Sequence, residues 1–243
     1  MTRPPAPGPL PPGERGRVRG GGGPVPGVVE DRRGGDIVTR VKICGITSVQ
    51  DAAAAVDAGA DALGFVFVPG TPRAIGPEAA EQITVGVPPF VTSVGVFVDQ
   101  SLEEILSIIA RCRLQAVQLH GNEPEALSRQ IPVKVIKAIR VREAADLRGI
   151  GIYPAHAFLL DAFVEGQPGG TGATISWDLA RTATGRVPVI LSGGLRPENV
   201  ARAVRAVRPY AVDVSSGVET SPGRKDHRKV RDFIAAVREA DWS

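Results

Sequence analysis

Residues 40–67 read RVKICGITSVQDAAAAVDAGADALGFVF. Positions 40–43 are strand-like, 49–58 are alanine-rich and helical in character, and 62–67 return to strand composition, so the stretch is one βαβ unit. Such units imply parallel strands joined by helical crossovers. The rhythm continues to the end of the chain. Further strands are expected at 92–97, 116–119, 134–139, 157–160, 189–191 and 211–214, eight in all. Helices are expected at 77–84, 102–112, 123–129, 177–182, 197–207 and 225–240. The stretch 142–148, followed by Gly149 and Gly151, is too short and interrupted for a secure helix. Eight strands with about eight crossovers in residues 37–243, roughly 26 residues per unit, predict an α/β fold, a single (β/α)₈ barrel at the compact end of its size range. A six-stranded open sheet is the alternative.

The chain has 243 residues, 29 Lys plus Arg and 26 Asp plus Glu, for a net charge of +3, which is too weak to argue for nucleic acid. No apolar run reaches the roughly 18 to 20 residues of a membrane span. Cys44 and Cys112 form neither a disulfide framework nor a CxxC pair, and the three histidines lack metal-ligand company. A reducing cytoplasm is expected. Residues 1–36 hold 10 Gly, 8 Pro and 6 Arg and no apolar segment, a composition expected to stay disordered. Two readings of this tail stay open: an alternative start at Val38, or a genuine extension without function.

In a barrel the chemistry sits where strands end and βα loops begin. Those positions carry Cys44-Gly45, residues 68–73, Asp99-Gln100, His120-Gly121-Asn122-Glu123, residues 137–140 and Asp161. They continue with Gly169-Gly170-Thr171-Gly172, Ser192-Gly193-Gly194 and Ser215-Ser216-Gly217. The last three loops are glycine-rich in succession. Residues 218–223 add a candidate turn of helix. Glycine lets backbone N–H groups approach an anion closely, so a phosphorylated ligand is expected there, with Ser192, Ser215 and Ser216 as hydroxyl donors.

The ordered set Lys42-Ile43-Cys44-Gly45-Ile46-Thr47, residues 59–67, Gln118-Leu119-His120-Gly121, Leu160-Asp161, Gly170-Thr171-Gly172, Ser192-Gly193-Gly194-Leu195 and Asp213-Val214-Ser215-Ser216-Gly217-Val218-Glu219 resembles the phosphoribosylanthranilate isomerase family of tryptophan biosynthesis. The resemblance covers nearly all of residues 40–240. It implies an Amadori rearrangement of N-(5-phosphoribosyl)anthranilate, an aldose–ketose isomerisation needing a general acid, a general base and neither metal nor redox cofactor. Cys44 matches the family's base and Asp161 its acid. The acid would need a raised pKa and the base surroundings that favour thiolate. Arg73 matches the arginine that holds the anthranilate carboxylate, a planar partner suited to guanidinium.

His120 is expected to line the site. Gly170, Thr171, Gly172, Ser192, Gly193, Gly194, Ser215, Ser216 and Gly217 match the phosphate-binding loops. Cys112 reads as structural, His156 has no assigned role, and His227 reads as part of a solvated face. Thr71 and Ile175-Ser176 depart from the family's pattern of Ser and Phe-Asp, yet Ser176 can still cap the following helix. The histidine-pathway isomerase is the nearest rival and a catalytically dead sugar-phosphate-binding barrel the other. A small-molecule substrate and a monomeric state complete the expectations.

Overall fold

The computed structural model describes residues 38–162 and 176–242. Strands β1 (Arg40–Cys44), β2 (Ala62–Val66), β3 (Thr92–Phe97), β4 (Ala116–Leu119), β5 (Lys134–Val141), β6 (Ala157–Ala162), β7 (Val189–Leu191) and β8 (Ala211–Val214) pair in parallel and in chain order. The β1–β8 ladder, in which Lys42 faces Asp213, closes the ring. The (β/α)₈ barrel is therefore present and the open sheet is excluded. Helices α1 (Val49–Asp57), α2 (Pro77–Thr84), α3 (Leu102–Cys112), α4 (Glu125–Ser128), α5 (Trp177–Ala183), α6 (Pro197–Val207) and α7 (His227–Asp241) form the outer layer.

Alternation along each strand sorts the side chains into two cores. Outward residues such as Ile43, Leu63, Phe97, Leu119, Leu160 and Val212 join the buried faces of the helices. In α3 that face is Ile105, Ile108, Ile109 and Cys112, spaced for one side of a helix. The Ser101 hydroxyl caps the helix start by accepting from the Glu104 N–H, and Arg113 ends it in the left-handed region at φ 50°. Ser48, Ser176 and Asp226 cap α1, α5 and α7 in the same way, Ser176 as expected.

Inward residues at the base of the barrel are apolar: Val94, Ala116, Ile136, Leu159, Ile190 and Ala211 form a second cluster. Further along the strands the inward positions turn polar, with Lys42, Gln118, Asp161, Ser192 and Asp213 all buried. A barrel whose floor is packed and whose ceiling is charged presents its chemistry at one end only.

The connection after β5, read as too interrupted for a secure helix, is a 3₁₀ turn, Ala144–Gly149, with the Asp146 carboxylate accepting from the Arg142 and Glu143 N–H groups. Other local expectations are corrected. The helix turn expected within 218–223 comes earlier, at Ser216–Val218. Residues Glu219–Ser221 (β9) and Arg224–Lys225 (β10) form an antiparallel hairpin that delays α7 to His227. His227 is not simply solvated, because its Nε2 lies 2.8 Å from the buried Asp51 carboxylate, which also accepts from the Lys225 N–H. Among the described residues no helix is long and apolar enough to cross a membrane, and no group of His, Cys, Asp or Glu could hold a metal ion.

Candidate active site

A cavity of about 260 Å³ lies at the C-terminal ends of the strands. Its lining brings together Cys44, Arg73, His120, Asp161, Ser192, Gly193, Gly194, Ser215 and Ser216, residues contributed by β1, β6 and the loops after β2, β4, β7 and β8. Gly217 sits behind that wall, where an added Cβ would collide with the Leu195 carbonyl, so the loops after β7 and β8 pack backbone against backbone. Gly170, Thr171 and Gly172 lie outside the described residues.

Cys44 ends β1 with only 7% of its surface exposed, and the strand's two-residue period puts Lys42 on the same inward side. The Lys42 ammonium donates to Asp213 Oδ1 at 2.7 Å and to Gln118 Oε1 at 3.0 Å. Burial opposes its charge, yet Asp213 and Cys44 hold it above the ordinary lysine range. The expectation of a thiolate-favouring environment meets a correction at Cys44. Burial pushes the thiol up; Lys42 and Lys225 pull it down without cancelling that effect, and Asp213 adds to the rise. Gly64 across the ladder leaves room for the sulfur, since a Cβ there would sit 2.7 Å from Sγ.

Asp161 is 6% exposed at the end of β6 and accepts the Ala162 N–H through Oδ1 at 3.0 Å. Its other oxygen lies 3.5 Å from His120 Nε2, while His120 Nδ1 meets Gln118 Nε2 at 2.9 Å. Arg73 is held by a bidentate fork on Glu219, Nε to Oε1 at 2.9 Å and Nη2 to Oε2 at 2.8 Å. The fully buried Lys225 ammonium adds a third contact to Glu219 at 2.7 Å. Burial raises the Glu219 carboxyl, but Arg73 and Lys225 outweigh it and hold the group below the usual carboxylate range. Thr71 spends its hydroxyl locally, donating to the Val68 carbonyl at 3.0 Å.

At the glycine-rich side, Gly193 and Gly194 adopt φ of 83° and 61°, conformations that side chains resist. Ser192 donates to Asp213 Oδ2 at 3.2 Å, so its hydroxyl proton is committed to the barrel interior. The Ser215 hydroxyl is buried without a hydrogen-bond partner among the described residues. Cys112 is buried in α3 beside the Pro77 carbonyl, a structural placement.

The residue-level reading assigned no part to Lys42, Gln118, Asp213, Glu219 or Lys225, although the first four stood inside the quoted motifs. The available signal was a polar residue at an inward alternate position of an otherwise apolar strand. It also missed the buried Glu123–Lys137 pair at 2.7 Å, which fixes the loop after β4 because Glu123 Oε1 accepts the Gly121 N–H at 2.9 Å.

Residues 41–236 match the family model described as N-(5'phosphoribosyl)anthranilate (PRA) isomerase. A curated N-(5'-phosphoribosyl)anthranilate isomerase from Magnetococcus marinus is 52% identical over 204 residues, covering 84% of this chain and 97% of that one. A solved phosphoribosylanthranilate isomerase from Thermotoga maritima, described as monomers generated from a dimeric enzyme, superposes with a TM-score of 0.75 at 44% identity, covering 83% of this chain and 99% of that one. Another, in complex with reduced 1-(o-carboxyphenylamino)-1-deoxyribulose 5-phosphate, gives 0.75 at 46% identity, again covering 83% and 99%. A match that runs from the first strand into the last helix, with about half the residues identical to a curated relative, makes this chain a member of the N-(5'-phosphoribosyl)anthranilate isomerase family.

Proposed function

We propose that the chain catalyses the Amadori rearrangement of N-(5-phosphoribosyl)anthranilate to 1-(2-carboxyphenylamino)-1-deoxyribulose 5-phosphate, with Asp161 as general acid and Cys44 as general base. The observation that carries this reading is the convergence of Cys44 from β1, Asp161 from β6 and Arg73 from the loop after β2 on the lining of one cavity. Asp161 gives its proton to the furanose oxygen as the ring C–O bond breaks, leaving an iminium. Cys44 then takes the C2 proton, and the resulting enolamine tautomerises to the ketone.

A buried thiolate is scarce but strongly basic. The iminium cation supplies the positive charge that stabilises it at the moment it is needed. Arg73, fixed by Glu219, turns its remaining guanidinium edge to the anthranilate carboxylate. Gly193, Gly194, Ser215 and Ser216 hold the phosphate together with Gly170, Thr171 and Gly172, and Gly217 supports them from behind the wall. Proton exchange with solvent then returns Cys44 and Asp161 to their starting states, and the chain works as a monomer.

The test follows the fluorescence of phosphoribosylanthranilate generated in situ. Rapid loss with the wild type, nearly abolished in Cys44→Ser and in Asp161→Asn, supports the assignment. Full activity in either variant removes that residue from the mechanism. Sedimentation equilibrium at assay concentration checks the monomer.

A further inference from the structure

The polar layer contains one buried N–H whose direction is dictated by its neighbours. Lys42 is an ammonium and can only donate, so the Gln118 atom 3.0 Å from it is the amide oxygen. The amide nitrogen must then be the group 2.9 Å from His120 Nδ1, and it too can only donate. Nδ1 is therefore the acceptor, and the ring carries its proton on Nε2. That Nε2 is buried, has no hydrogen-bond partner among the described residues, and lies 3.5 Å from Asp161 Oδ2. The separation is beyond a good hydrogen bond but within reach of a small side-chain movement.

We propose that Gln118 is a positioning residue: anchored by Lys42, it holds His120 as the tautomer whose Nε2–H stabilises the carboxylate that Asp161 becomes on giving up its proton. The inference rests on Asp161 as the acid. Gln118 touches no reacting atom, and its effect reaches the site through the imidazole. A donor on Nε2 strengthens the leaving of the Asp161 proton, whereas a lone pair there would face the new negative charge and oppose it.

Gln118→Glu inverts the relay at nearly constant shape. A carboxylate accepts from Lys42 and also from Nδ1–H, which draws the ring proton to Nδ1 and leaves Nε2 bare. The chain has three histidines, so ¹⁵N spectra of the histidine rings are simple to assign with a His120→Asn variant. The expected wild-type signature at His120 is Nε2–H, moving to Nδ1–H in Gln118→Glu. In the same variant kcat should fall about ten- to a hundredfold, the loss of one hydrogen bond to a charged group, with KM little changed.

If Gln118→Glu fails to fold, Gln118→Met serves. It neither accepts nor donates at these distances, and it should give mixed tautomers with a smaller loss in kcat. Nδ1–H in the wild type overturns the proposal, as does a tautomer shift that leaves kcat intact. Failure of the underlying assignment reads differently: Asp161→Asn then stays active whatever the ring spectra show.

Discussion

Replacing Glu219 by Ala tests whether one carboxylate organises the mouth of the site. Glu219 receives Arg73 through two bonds of 2.9 and 2.8 Å and Lys225 through a third of 2.7 Å. With the carboxylate gone, the Lys225 ammonium, its side chain 0% exposed, keeps among the described residues only the Ser215 carbonyl at 3.3 Å. Removing one member of a buried pair costs about 3–5 kcal/mol, because the other charge is left uncompensated. At about 2–4 °C per kcal/mol for a domain of this size, the thermal midpoint should fall by about 6–20 °C. Thermal unfolding followed by circular dichroism reads this directly, beside the double variant Glu219→Ala/Lys225→Met. Deleting both charges removes the penalty, so the double variant should regain much of the lost stability. Arg73, freed from its fork, should raise KM for the carboxylate-bearing substrate more than it lowers kcat. A single variant within about 0.5 kcal/mol of wild type would refute the reasoning, since that is the scale of ordinary surface changes. So would a double variant as unstable as the single.

Gly64→Ala places a Cβ 2.7 Å from Cys44 Sγ, so catalysis should drop sharply while far-ultraviolet circular dichroism stays native. Lys42→Met removes an ammonium that pulls the Cys44 thiol down, so alkylation of Cys44 at a fixed mildly alkaline pH should slow further from its already retarded rate; faster alkylation would contradict the assigned electrostatics. Glu219 and Glu123 are both held below their ordinary 4.5 in the folded chain, each against the pull of burial, by Arg73 with Lys225 and by Lys137 respectively. Their contribution to stability is complete above about pH 4.5 and is lost as pH falls through the folded values, so unfolding midpoints measured down that range should decline less steeply in Glu219→Gln. Gly217→Ala drives a Cβ into the Leu195 carbonyl and should weaken both folding and substrate binding, visible as a lowered midpoint and a raised KM.

The barrel was legible because its strands and helices differ in period and composition along their whole length. Thr92–Phe97, Ala116–Leu119, Leu102–Cys112 and Pro197–Val207 have the bounds their patterns predict. The misplaced pieces are those where a tertiary contact overrode local pattern. Glu123 reads as the start of a helix, but its side chain turns inward to Lys137, and α4 begins two residues later. Lys225 reads as helix, yet its ammonium is drawn under the barrel mouth by Glu219, and its backbone pairs in the hairpin instead. Cys44 and Asp161 were visible through their setting in ordered motifs, and Arg73 through its place in the loop after the second strand. The ion pairs that surround them join residues far apart in the chain, such as Lys42 with Asp213 and Arg73 with Glu219, and no local spacing announces such partners.

Lys42 and Asp213 are 171 positions apart, one on the first strand of the barrel and one on its eighth. A barrel lacking β8 therefore has a cation pointing at its axis that Gln118 can solvate but not neutralise. Arrival of β8 zips the final ladder and delivers the missing charge in the same step. Ring closure, already demanding in chain entropy because it joins the two ends of the fold, is thus coupled to the neutralisation of a buried ammonium. Partial barrels that bury β1 early carry an electrostatic penalty that the complete ring does not. Folding is pushed toward an all-or-none event, completed only when the eighth strand supplies its aspartate.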